Sequence, residues 1–210
     1  MKNILCFGDS NTWGAIPANV ENRFPREVRW TGRLQQLLGN EYYVIEEGLN
    51  GRTTVIDDPI EPHRCGKFYL TPCLLSHRPL NAVILMLGTN DLKYRFSYSA
   101  HDIARGAALL VEMILKSECG LAGRPPKVLL VSPAPLTHLT ADADEFAGGQ
   151  AKSKLLAHYY QLQASLLGCD FLDAGQVVAP SDLDGVHLNQ EQHQKLARAF
   201  ADRILGWQDW

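Results

Sequence analysis

At 210 residues the chain has room for one α/β domain, which at this size buries roughly 70% of the surface exposed when unfolded. Its 46% hydrophobic and 20% charged content is ordinary for a globular protein, and a net charge of −3 with singly scattered Lys and Arg argues against a nucleic-acid partner. Five cysteines without a C-x-x-C pair suit neither a disulfide framework nor a thiolate zinc site.

Short apolar runs alternate along the chain with segments of helical period, the pattern of a parallel sheet flanked by helices. The first predicted strand is Asn3 to Phe7, ended by Gly8; the apolar run is too short for a signal peptide. A helix is predicted over Arg26 to Leu38, with Trp30, Leu34, Leu37 and Leu38 on one face and Gly39-Asn40 as its stop. A strand over Tyr42 to Glu46 precedes helix-like residues from Lys67 to His77. Ala82 to Leu87 is apolar throughout, as a parallel strand covered on both faces should be. Ser99 and Asp102 form a capping-box-like start for a helix reaching Ser117, and Pro125-Pro126 introduces a strand over Lys127 to Val131. A helix over Lys152 to Leu167, a strand over Cys169 to Leu172 and a last helix capped by Asn189 and Gln192 complete the series. These elements predict a three-layer α/β/α sandwich with a five-stranded parallel sheet in one domain over 1–210, and no stretch long and apolar enough for a membrane span. A reducing, cytoplasmic setting is expected.

In such a sheet ligands bind beyond the carboxyl ends of the strands, so the loops that follow them come first. Gly8-Asp9-Ser10-Asn11-Thr12-Trp13-Gly14 flanks a serine with glycines, which permits a sharp turn exposing its hydroxyl. A phosphate-cradling loop or an ordinary Asp/Ser turn fits the same residues, although no lysine completes a Walker-type loop. Gly51 could offer a backbone N–H to an oxyanion or be a flexible turn, and Asn90 could aim its amide at a reacting oxygen or make an Asx-turn. Asp184 and His187 are three residues apart before a helix, a spacing that lets the carboxylate fix the imidazole tautomer while the other nitrogen takes a proton from Ser10. A metal site or a capping cluster could also use Asp-x-x-His. A metal would want further ligands, and His63, His101 and His138 lack supporting spacing.

Taken together and in order, Gly8-Asp9-Ser10, Gly51, Gly88-Thr89-Asn90-Asp91 and Asp184-Gly185-Val186-His187 resemble the four blocks of the SGNH (GDSL-like) hydrolase superfamily over nearly the whole chain. Phe7 to Gly14, Gly51-Arg52-Thr53-Thr54 and Val131-Ser132-Pro133 look like its arylesterase/acyltransferase branch. Asn11 departs from the leucine of the family name and bears on specificity; Gly51, before Arg52-Thr53-Thr54, fits the second block better than Gly48.

The resemblance implies a flavodoxin-like fold and a serine esterase with Ser10 as nucleophile, His187 as base and Asp184 as its orienting carboxylate. The oxyanion hole would be the Ser10 and Gly51 N–H groups and the Asn90 amide. Asn11 and Trp13 are candidates for the substrate pocket, and Trp13 could equally be core. No metal or organic cofactor is implied. The implied partners are a small-molecule ester and water or an alcohol as acceptor, with a homo-oligomer narrowing the site and no membrane. Tyr94, Phe96 and Tyr98 are expected at the entrance or a subunit contact, and residues 137–150 as a lid or interface arm. A carbohydrate O-deacetylase, a thioesterase or lysophospholipase, and a non-catalytic binding protein are the alternatives on the same fold.

Overall fold

The computed structural model describes residues 1–140 and 143–208. Strands β1 (Lys2–Gly8), β4 (Tyr42–Gly48), β5 (Ala82–Met86), β6 (Lys127–Ser132) and β7 (Asp170–Asp173) form one sheet in the order β4-β1-β5-β6-β7. All its pairings are parallel. Counting these five strands alone, the order is 2-1-3-4-5, that of flavodoxin-like sheets, with the reversal of winding beside β1. Gly8 is level with Gly48 on one side and Met86 on the other, so three loops leave the sheet at one edge.

Alternation along β1 sends Ile4 and Cys6 to one face and Leu5 and Phe7 to the other. The first pair packs with Trp30 and Leu34 of helix α2 (Trp30–Leu38) and with Leu196, Phe200 and Ile204 of α6 (Gln190–Leu205). The second packs with Leu70 and Leu74 of α3 (Gly66–His77), Leu110 of α4 (Ala100–Leu115), and Leu156 and Tyr160 of α5 (Gly149–Leu167). The result is the expected three-layer sandwich. Helix α1 (Ser10–Trp13) is a single turn directly after β1. Among the described residues no helix is long and apolar enough to cross a membrane.

Several boundaries differ from expectation for local reasons. The Ser99 and Asn189 caps form as anticipated, each side chain accepting the N–H three residues on. Helix α2, however, starts at Trp30 rather than Arg26. Pro25 opens a turn closed by the Val28 N–H, and Arg29 stays extended at φ −61°, ψ 144° while its guanidinium reaches the Glu46 carboxylate at 2.8 Å. Helix α5 starts three residues before Lys152, at Gly149, after Gly148 adopts φ +73°. Strands β2 (Ala15–Ile16) and β3 (Asn19–Arg23) form a small hairpin that the sequence reading did not anticipate. Every residue of β3 is exposed, so no apolar alternation announces it.

Since α2 begins without a side-chain cap from its own N-cap residue, the N–H of Trp30 is taken by Nδ1 of the buried His193 at 3.3 Å. Burial, with Arg29, Arg33 and His187 nearby, lowers the imidazole from 6.5 to about 3. Between those values the unfolded chain binds a proton the native chain refuses, so His193 contributes stability above pH 6.5 that is lost on acidification. The loss from this group is about 1.4 kcal/mol per pH unit at most. His193→Asn retains an acceptor near Nδ1 without a titrating ring, and is expected to flatten the acid limb of Tm against pH. An unchanged limb would remove His193 as its source.

Candidate active site

Gly8 ends β1 where a Cβ would lie 2.0 Å from Thr12 Oγ1 and 2.8 Å from the Met86 carbonyl oxygen. The chain can therefore turn at once into α1 against the neighbouring strand. Asp9 caps that turn, its Oδ1 accepting the Asn11 N–H at 3.0 Å, and Gly14 closes it at φ +91°. Ser10 is thus the first residue of the turn, at the end of an inner strand of the sheet, and is 6% exposed.

The loop before α6 brings its partners from the far end of the chain. His187 Nε2 lies 3.0 Å from Ser10 Oγ, and His187 Nδ1 lies 2.9 Å from Asp184 Oδ2. Asp184 Oδ1 accepts the N–H groups of Val186 and His187, and Oδ2 accepts that of Ala18, each at 2.9 Å. Burial opposes the charge on Asp184, but its bond to the imidazole and these N–H bonds prevail and hold the carboxyl down at about 2. It is therefore ionised wherever a neutral imidazole could act as a base. Ser10, His187 and Asp184 are all buried, which strengthens each of these contacts.

Asn11 joins the two halves. Its Nδ2 donates to the Val186 carbonyl at 3.2 Å and its Oδ1 accepts the Leu188 N–H at 2.9 Å, so one amide grips the backbone on both sides of His187. The polar atoms of Asn11, a residue expected at the substrate pocket, are thus committed to the protein. Trp13 is half-buried, with the Arg23 guanidinium 5.1 Å from its ring centroid and Arg23 Nε donating to its carbonyl at 2.6 Å.

The loops after β4 and β5 face the same edge. Asn90, in the first of two 3₁₀ turns after β5, is 6% exposed and donates from Nδ2 to the Arg52 carbonyl at 3.1 Å, next to Gly51. Gly51 adopts φ +74°, whereas the Cβ position of Gly48 is filled by the backbone of Trp13, its nitrogen 2.1 Å away. Gly48 thus lets α1 lie against β4, while Gly51 shapes the free part of the loop. Asp91 fastens these loops together, accepting from Thr54 N at 3.1 and 3.0 Å and from the Thr54 hydroxyl. Burial raises both Asp9 and Asp91 to about 6, against the pull of the Asn11 N–H on one and the Thr54 donors on the other. Asp9, Asp91 and Thr54 stood in the motifs without a role assigned, yet Asp9 before a helical turn carries a legible N-cap signal.

The 137–150 connection packs against the histidine loop rather than standing free of it. Thr137 N–H donates to the Gly185 carbonyl at 3.0 Å, Thr140 Oγ1 to the Leu183 carbonyl at 2.9 Å, and a Cβ on Gly185 would meet the His138 oxygen at 2.4 Å. Residues 141–142 lie outside the described residues. Further along, Glu145 pairs with Lys93 and Arg95, and Arg95 also pairs with Asp58 and Glu61. The connection is tied in this way to the segments after β4 and β5. Tyr94 and Tyr98, on either side of Arg95 in sequence, are exposed.

The sequence profile of the GDSL-like lipase/acylhydrolase family matches residues 6–195, a span containing every one of these groups. The chain belongs to that family. This GDSL-like hydrolase is similar to the native aryl esterase of M. smegmatis, at 44% identity over 98% of this chain and 99% of the other, with a TM-score of 0.93. It is also similar to a carbohydrate acetylesterase from Sinorhizobium meliloti, at 41% identity over 98% and 99% of the two chains and a TM-score of 0.92. A lipolytic protein of the G-D-S-L family from Veillonella parvula, 15% identical with a TM-score of 0.72 and 99% and 100% coverage, shares the fold. Comparison with curated proteins returned no match. Family membership and these neighbours make the GDSL-like chain a carboxylic ester hydrolase.

Proposed function

We propose that the protein hydrolyses short-acyl aryl or alkyl esters through an acyl-enzyme on Ser10, and also passes the acyl group to alcohols. The observation carrying this reading is the continuous path Asp184 Oδ2, His187 Nδ1, His187 Nε2, Ser10 Oγ, with contacts of 2.9 and 3.0 Å. In the first step Ser10 Oγ attacks the ester carbonyl carbon, and its proton passes to His187 Nε2. Asp184 stabilises the imidazolium. The tetrahedral intermediate collapses, the carbon–oxygen bond to the leaving alcohol breaks, and Nε2 returns the proton to that oxygen. Water or a second alcohol then repeats the sequence in reverse on the acyl-serine. No step calls for a metal or an organic cofactor.

The developing oxyanion is assigned to the N–H groups of Ser10 and Gly51 and to Asn90. Because one hydrogen of Asn90 Nδ2 is held by the Arg52 carbonyl, the amide is oriented before substrate arrives, and its second hydrogen is left for the substrate oxygen. Asn90→Ala is expected to lower kcat by about 10²–10³-fold with a much smaller change in KM. A normal kcat in steady-state assays would take Asn90 out of the hole.

A carbohydrate acetyl ester is the second reading, favoured by the similarity to the Sinorhizobium meliloti acetylesterase. The deciding experiment compares p-nitrophenyl acetate, butyrate and octanoate with acetylated sugars, each with and without an added alcohol. Turnover that falls with chain length and yields the new ester when alcohol is present supports the first reading. Preference for the acetylated sugar supports the second, and octanoate as the best substrate contradicts both. The proposal includes self-association, for which exposed Ile60, Phe68 and Tyr94, on segments joined by the Arg95 network or next to it, offer apolar surface. A solution mass equal to one chain would remove that part. Free Cys6, Cys65, Cys73, Cys119 and Cys169 favour a reducing, cytoplasmic setting.

A further inference from the structure

At the end of β4, on the α3 side, a second group of reactive side chains stands apart from Ser10. Glu47 Oε1 lies 2.8 Å from His77 Nε2, and the ligand atoms of Glu47, Cys73 and His77 all lie within 4.8 Å of one another. Cys73 and His77 are one helical turn apart on α3, which places both on the face turned to β4. We propose that Glu47, Cys73 and His77 form a binding site for a soft divalent cation such as Zn²⁺.

Three donor types converge here that zinc accepts: thiolate sulfur, imidazole nitrogen and carboxylate oxygen. Donor atoms around a tetrahedral zinc stand about 3–4 Å apart, given bond lengths of roughly 2.0–2.3 Å. His77 and Glu47 are both half-buried, and binding requires their side-chain torsions to close the remaining distance. Cys73 is 1% exposed and is fixed from behind by the core of the α3 side. A cleft of about 750 Å³, lined by Glu47, Arg52, Cys65 and Tyr69 among others, reaches the group at Glu47.

Binding exchanges protons for the ion. The Cys73 S–H bond breaks and its proton leaves to solvent as the sulfur–metal bond forms. His77 Nε2, which donates its hydrogen to the Glu47 carboxylate in the free protein, releases that proton to solvent while the ring holds one on Nδ1, and the Nε2 lone pair so freed takes the ion. Arg52 interacts with Glu47 and Cys73 and offsets part of their negative charge, so a hard cation held by the carboxylate alone gains little. The thiolate then sets the selectivity: Zn²⁺ and Cd²⁺ should bind and Mg²⁺ should not.

The test is a Cd²⁺ titration of the full chain, following the thiolate-to-metal charge-transfer absorption in the ultraviolet, with Zn²⁺ or Mg²⁺ as competitor. One Cd²⁺ per chain, displaced by Zn²⁺ and not by Mg²⁺, is expected. Cys73→Ser should abolish the band, and His77→Ala should weaken binding by about 10–100-fold or more, since even an outer partner of a metal ligand is worth that much. Cys73 is buried, so its variant is read only if its circular dichroism melt is cooperative; half-buried His77 and Glu47→Gln give the same information if it is not. No band in the folded wild type, a band that survives Cys73→Ser, or equal affinity in His77→Ala would each overturn the proposal.

Discussion

Ser10→Ala is expected to lower kcat for p-nitrophenyl acetate by about 10⁶-fold, and His187→Ala by a similar factor. The two act as a unit. Without Oγ there is no nucleophile for the imidazole to deprotonate, and without the imidazole the serine hydroxyl remains a weak nucleophile. Combining the substitutions should therefore cost little more than either one alone, whereas independent contributions would multiply. The geometry leaves few substitutes: Oγ is 3.0 Å from Nε2, and the group is buried away from bulk water. Residual catalysis over the uncatalysed reaction should persist in both variants, because Asn90 and the backbone donors remain. Neither side chain is a large part of the core, so the variants should melt close to the wild type. A Ser10→Ala enzyme retaining a tenth of wild-type kcat in single-turnover assays would show that another group carries the attack.

What made this site legible in the sequence was its order along the chain. Each of Ser10, Gly51, Asn90 and His187 follows or precedes a recognisable element, and a parallel sheet delivers such loops to one edge. The strand from Ala82 onward and the capped helices at Ser99 and Asn189 were readable because apolar runs and Asx/Ser caps are local signals. The small hairpin at 15–23 was not, because β3 buries nothing. The grip of Asn11 on the histidine loop was hidden for a related reason. Its partners, Val186 and Leu188, lie 175 and 177 residues away, and nothing in the neighbourhood of Asn11 announces them. The same blindness hid Glu47, Cys73 and His77. The loop histidines show no metal spacing, and the i, i+4 pair on α3 needs a strand carboxylate that only the fold supplies. Local caps and periods read well from sequence; contacts that cross the sheet do not.

Asp184→Asn should be the more instructive loss, about 10⁴-fold in kcat, because shape and packing are nearly preserved while one proton is misplaced. In the native loop both carboxylate oxygens are acceptors. Oδ1 holds the Val186 and His187 N–H groups, and Oδ2 holds Ala18 N–H together with His187 Nδ1. An amide can satisfy only one of these sets with its oxygen. If that oxygen keeps Val186 and His187, the NH₂ group confronts the Ala18 N–H, donor against donor, and donates to Nδ1. The ring proton then sits on Nε2 and points at Ser10 Oγ, so the base nitrogen is blocked. The same substitution removes the acceptor of the part-buried Ala18 N–H, a lost hydrogen bond worth about 1 kcal/mol because solvent replaces it in part. The native carboxyl, held at about 2, also contributes stability present above its unfolded value of 3.8 and lost as pH falls toward 2. Asp184→Asn should therefore melt lower than wild type at pH 7, with the gap closing as the pH approaches 2, where the wild-type carboxyl also protonates. The two readouts separate the roles: kcat reports the tautomer, and the pH dependence of the Tm difference reports the carboxylate's charge. A variant with near-normal kcat but lowered Tm would leave Asp184 as a loop clamp and pass the orienting role to another acceptor.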